Sequence, residues 1–171
     1  MINGFDLWGI RKTVEKSTGM FSFAVWDKKD NALTLGRDRI GEKPLYYGWN
    51  GDSFLFASEI KALSIHPKFD PTLNLDALTL FFRHASIPAP YTIYKRIFKL
   101  RPGCLLTLSN SGKKEKIENY WPIDKIARSG QENVFKGSSN EALKELKELL
   151  LKSINQQMIS DVPLGAFLSG G

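Results

Sequence analysis

The chain has 171 residues, one cysteine, two histidines and a formal net charge of +6. That length holds one ordinary domain, or one domain and part of another. Hydrophobic residues at 42% and aromatics at 12% can fill a core and exclude global disorder, one cysteine excludes an internal disulfide, and no apolar run approaches the ~18 residues of a membrane span.

Phe5 to Lys16 is predicted helical, because Leu7, Ile10 and Val14 fall on one face and Gly19 offers a stop. "GMFSFAVWD" follows. Neither alternating face carries a charge, so it is predicted to be a strand covered on both sides. "DKKDN" is a turn and "ALTLGRD" the partner strand. "KPLYYGW" and "SFLFAS" flank Asn50-Gly51, a tight-turn signal, and form a second hairpin. Glu59 to Ser64 is a short helix ended by His66-Pro67. Asn74 can cap another, whose Leu78, Phe81 and Phe82 make an apolar stripe. "IFKLRPGCLLTLSNSGKKEKIENYW" supplies strand, turn and strand. Residues 122–137 are polar, without clear periodicity, and read as a linker.

The pattern then changes. Ser138 and Glu141 make a capping box. Leu143, Leu146, Leu150, Ile154 and Met158 form a helical stripe over about five turns. After Pro163 an apolar strand, Leu164 to Leu168, leads into Ser169-Gly170-Gly171. A helix, a strand and a Gly-rich turn can open an α/β nucleotide-binding domain.

That turn is the first candidate site. Its glycines would let backbone N–H groups approach a phosphate, and the Ser169 hydroxyl could donate too. An ordinary Gly-rich turn explains three residues as well, and short matches recur by chance. The loop in "GRDRIGEKPLYYG" is the second candidate. Arg37, Asp38, Arg39, Glu42 and Lys43 crowd it. They could bind an anionic substrate, but a salt-bridged loop fixing two hairpins is the better expectation. Glu59 reads as a carboxylate facing a helix dipole. Cys104 sits in "CLLTL" with nothing nearby to lower its pKa, so a buried inert thiol is expected. His66 and His84 are far apart, without the spacing of a zinc site or a triad partner. The basic residues are spread along the chain and mixed with Glu, which disfavours a nucleic-acid partner. The first residues do not make a signal peptide, and the lone cysteine fits a reducing cytoplasm.

The order of these pieces adds a further reading. "TGMFSFAVWD", "GRDRIGEKPLYYG", "FLFASEIKAL", "IFKLRPG", "YW" and "SDVPLGAFLSGG", in succession, resemble the glutamine-hydrolysing asparagine synthetase family over nearly the whole chain. The resemblance implies an α+β fold. Residues 1–121 would be the C-terminal part of an N-terminal-nucleophile hydrolase glutaminase domain with αββα layers. Residues 122–137 would be the linker, and 138–171 the start of an α/β ATP-pyrophosphatase-type synthetase domain. In this family a cysteine exposed at the chain start releases ammonia from glutamine. Aspartate is activated by ATP and Mg²⁺ as aspartyl-AMP, and ammonia attacks it to give asparagine.

The chain departs from the family pattern at both ends. It begins Met1-Ile2 rather than Met-Cys, so no catalytic residue is carried over. The pyrophosphate loop of the family reads S-G-G-x-D-S, which Ser169, Gly170 and Gly171 match in its first three positions. Leu168 matches the position that contacts the nucleotide. These four are the ATP/pyrophosphate-binding residues the resemblance implies; no metal ligand is implied. The expectation is an internal fragment of a cytoplasmic ligase, inactive alone and binding no cofactor tightly. Its parent would use glutamine, aspartate and ATP, without nucleic acid or membrane, and a homodimer is allowed. Two alternatives stay open: a relative amidating another carboxylate, such as a polysaccharide sugar acid or a β-lactam or lasso-peptide precursor, and a non-catalytic interaction module.

Overall fold

The structure is a computed structural model that describes residues 1–109 and 114–168. It divides into two units, Met1–Ile123 and Asp124–Gly171.

The first unit is built on two antiparallel sheets. Helix α1 (Ile2–Lys16) precedes strands β1 (Ser22–Asp27), β2 (Ala32–Arg37), β3 (Tyr46–Asn50) and β4 (Ser53–Ala57). Helices α2 (Ile60–Ser64) and α3 (Leu75–His84) follow, then β5 (Phe98–Lys99), β6 (Cys104–Ser109) and β7 (Lys114–Asn119). One sheet has the order β1-β2-β6-β7 and the other β4-β3-β5. Antiparallel sheets with separate helices place the unit in the α+β class.

Strand β6 shows how side-chain alternation builds the layers. Cys104, Leu106 and Leu108 point to one face and join Leu35, Leu45, Tyr47 and Leu100 in the core between the sheets. Leu105 points to the other face and meets Val14 of α1 and Tyr120. Both faces are therefore covered, by a sheet and by a helix. Burying a leucine such as Leu35 or Leu106 contributes roughly 1.5–3 kcal/mol. Gly36 is required on the helix side: a Cβ there would lie 2.3 Å from the Phe23 ring.

Several expectations need correction. Helix α1 is broken at Gly9, whose φ of 77° is not helical. The break ends the predicted stripe, so Val14 is buried while Leu7 is exposed. Strand β1 is not covered on both sides. Among the described residues it is the sheet edge, and Met20, Ala24 and Trp26 lie exposed on one face. In the β3–β4 turn the central residues are Gly51 and Asp52, with Asn50 paired to Ser53. The cap on α3 is present: Asn74 Oδ1 accepts from the Ala77 N–H at 3.2 Å. Its Phe81 and Phe82 are exposed, however, and only Ala77 is buried.

The second unit is helical. Residues read as a linker contain helix α4 (Ile123–Glu132), whose Ile123 and Ile126 are spaced for one helical face. Helix α5 (Ser139–Gln157) starts with the predicted capping box, with Glu141 Oε2 accepting from the Ser138 N–H at 2.8 Å. Its leucine stripe is exposed within this unit. The predicted strand Leu164 to Leu168 is not formed; residues 163–168 are irregular. A strand needs a neighbour to pair with, and the described residues of this unit contain no other strand.

Candidate functional site

The loop between β2 and β3 gathers the densest set of polar groups. Asp38 leaves strand β2 and is 1% exposed. Its Oδ1 accepts from the backbone N–H groups of Ile40, Gly41 and Glu42, at 3.3, 2.7 and 2.9 Å. Its Oδ2 accepts from Lys43 at 2.9 Å and from Phe21 at 3.3 Å. One carboxylate thus satisfies four donors of a loop that has no ladder partner, and one from the residue before β1. Burial opposes ionisation of Asp38, but the N–H groups of Lys43, Glu42, Gly41 and Phe21 outweigh it and hold the carboxyl below its usual range.

Arg37 does the complementary work. Its guanidinium donates to the carbonyl oxygens of Lys43 at 2.8 Å, Leu100 at 2.7 Å and Gly41 at 2.6 Å. The Leu100 contact joins the loop to the segment after β5. Arg39 lies over the Trp121 ring, 4.0 Å from its centroid, and donates to the Glu15 carbonyl at 2.9 Å. The expected ion pairs of this loop are absent among the described residues. The charges of Arg37 and Asp38 are satisfied by peptide groups instead, because a short loop presents more free N–H and C=O groups than opposite charges. The Arg37 and Asp38 side chains are therefore occupied in holding the shape of the loop itself.

The other candidates stay apart. Cys104 is buried, and burial pushes its thiol pKa up while Arg101 opposes weakly. Glu59 is the N-cap residue of α2 but makes no side-chain cap. The Nδ1 of His66 accepts from the Lys68 N–H. Of the terminal turn, Leu168 is exposed, whereas Ser169, Gly170 and Gly171 lie outside the described residues. The described residues contain no grouping of three or more His, Cys, Asp or Glu that could hold a metal ion. Sequence reasoning missed Tyr120 and Thr92. The Thr92 hydroxyl donates to the Ile97 carbonyl at 2.6 Å and accepts from the Tyr94 N–H at 3.1 Å. Nothing in local sequence marks a threonine that serves a loop several residues away.

Comparison with known proteins divides the chain along its length. Residues 1–121 match the family model described as glutamine amidotransferase domain. Residues 145–171 match that described as asparagine synthase. Among curated relatives, Bacillus subtilis asparagine synthetase (glutamine-hydrolyzing) 3 is 36% identical over 159 residues, which is 92% of this chain and 24% of the relative. Asparagine synthetase 1 of the same organism is 32% identical over 164 residues, 94% of this chain and 24% of the relative. Asparagine synthetase 2 is 36% identical over 165 residues, 92% and 22%. The chain spans about a quarter of the length of these curated relatives.

Proposed function

We propose, from the premise that the chain belongs to the glutamine amidotransferase domain family, that it serves a ligase that uses glutamine as nitrogen donor to convert aspartate to asparagine with ATP. The observation that carries this reading is the succession of two matches on one chain, the amidotransferase domain at 1–121 and asparagine synthase at 145–171. A domain that releases ammonia followed by one that consumes it is the arrangement a glutamine-dependent amide ligase needs.

Within that reaction the first unit is a scaffold. The Arg37–Lys43 loop ties β2, β3 and the segment after β5 together through hydrogen bonds from the Arg37 and Asp38 side chains to backbone groups, which supports a rigid frame for an amide-hydrolysing site. An N-terminal-nucleophile hydrolase arrangement is the finer reading of its stacked sheets. Leu168, Ser169, Gly170 and Gly171 are assigned to the ATP pyrophosphate, through backbone N–H groups and the serine hydroxyl. ATP supplies the activation of the aspartate carboxylate as an acyl adenylate. The described residues contain no grouping of three or more His, Cys, Asp or Glu that could hold a magnesium ion.

The test is a chimera in which this chain replaces the matching stretch of Bacillus subtilis asparagine synthetase 3. Asparagine should form from aspartate, ATP and glutamine. A folded chimera that forms asparagine from ammonia but not from glutamine would refute the amidotransferase assignment. One that amidates a different carboxylate would refute the aspartate assignment.

A further inference from the structure

A cavity of about 640 Å³ opens in the first unit between β3, β5 and β7. Three aromatic side chains form its apolar wall: Tyr47, Trp49 and Phe98. The Tyr47 and Phe98 rings lie 5.9 Å apart, tilted by 37°. Its polar side is cationic. Lys95, Arg96, Lys99 and Arg101 line it, against the single carboxylate of Glu115. Among the described residues only Arg96 of these four has an ion-pair partner, Asp70 at 3.0 Å.

Two of these groups are poised for an anion. Lys99 is half-buried and spends one ammonium N–H on the Ile87 carbonyl, leaving others for a ligand, and burial together with the nearby Arg37 pulls its pKa down. A cation crowded by another cation gains most from a bound anion. Tyr47 is pushed up to about 12, chiefly by burial and further by Glu115. Its hydroxyl therefore keeps its proton at neutral pH and can donate.

We propose that this cavity binds a small aromatic phosphate, its ring against Trp49 and Phe98 and its phosphate against Lys99 and Arg101. The volume lies within the range of small-molecule sites. Three unpaired cations call for more than one negative charge, which a phosphate monoester supplies and a simple carboxylate does not. The aromatic wall excludes a purely inorganic ion as the preferred ligand. The site uses none of the residues assigned to the pyrophosphate turn, so the two assignments fail independently.

The test uses naphthyl phosphate as probe with the 171-residue chain, following Trp49 by fluorescence and binding by calorimetry. Naphthyl phosphate should bind saturably, and naphthol and inorganic phosphate at least about tenfold more weakly. Lys99→Gln and Arg101→Gln should each weaken binding by about tenfold, the loss of one charge-assisted contact. Glu115→Gln should tighten it, since it removes the one like charge, and a gain cannot come from misfolding. Trp49→Phe should abolish the fluorescence change while calorimetric binding persists. Equal binding of naphthol, or an unchanged or weakened affinity in Glu115→Gln, would overturn the proposal.

Discussion

The Tyr120 hydroxyl donates a hydrogen bond to the Arg37 carbonyl oxygen at 2.9 Å, joining positions 83 residues apart. Tyr120 is 4% exposed, so the bond is shielded from water. It fixes the chain leaving β7 to the start of the Arg37–Lys43 loop. Burial, aided by the Asp38 charge, holds the phenol protonated. Tyr120→Phe should keep the ring packing against Val14 and Leu105 and lose only the bond. The expected cost is about 1 kcal/mol, visible as a lower midpoint in urea with an unchanged slope.

Asp38 makes stability depend on pH with a definite sign. Its folded-state pKa lies below the ordinary value of 3.8. Such a group contributes fully above the unfolded pKa and loses that contribution as pH falls through the folded one. Asp38→Asn should destabilise the first unit by about 2 kcal/mol at neutral pH, because amide oxygen and nitrogen cannot both accept from the N–H groups. The gap between parent and variant should shrink below about pH 4. Urea titrations of both from pH 7 to pH 3 measure it; a constant gap would show that the carboxylate is not ionised by this cage.

Cys104 should react only when the first unit opens. It is 3% exposed and sits in the core between the sheets, where burial raises its pKa. Thiolate is the reactive form, and both its population and its access are suppressed. Labelling with a chromogenic disulfide should be slow in buffer and should accelerate along the urea unfolding curve. Fast labelling of folded protein would contradict the packing of β6.

What was legible in the sequence is local. Turn and hairpin signals located β2, β3, β4 and β6, and the Asn74 and Ser138 caps were visible as residue types at fixed spacing. The errors concern partners. Trp26 lies in a strand of suitable composition, but composition does not say that β1 is an edge. Leu164 to Leu168 are apolar enough for a strand that has no described neighbour in its unit. The charges of the Arg37–Lys43 loop suggested ion pairs, while the decisive acceptors were peptide carbonyls such as Leu100, 63 residues away from Arg37. The pyrophosphate turn rests on sequence likeness alone, because Ser169 to Gly171 lie outside the described residues.

The capping box of α5 offers a second pH dependence, of opposite reach along the chain. Ser138 Oγ accepts from the Glu141 N–H at 3.4 Å, and its hydroxyl donates to the Glu141 carboxylate at 2.8 Å. The backbone and side chain of Ser138 lower the Glu141 pKa below 4.5. The carboxylate form therefore supports the helix start at neutral pH, and that support fades as pH falls through the lowered pKa. Most helical stability in proteins comes from tertiary packing, and α5 buries no residue within its unit, so loss of a cap should be visible directly. Ser138→Ala should reduce the helical circular dichroism of the chain at pH 7. It should also flatten the acid-induced loss of helix below about pH 4.5 that the parent chain shows. If parent and variant lose helicity in parallel, the box does not hold the first turn.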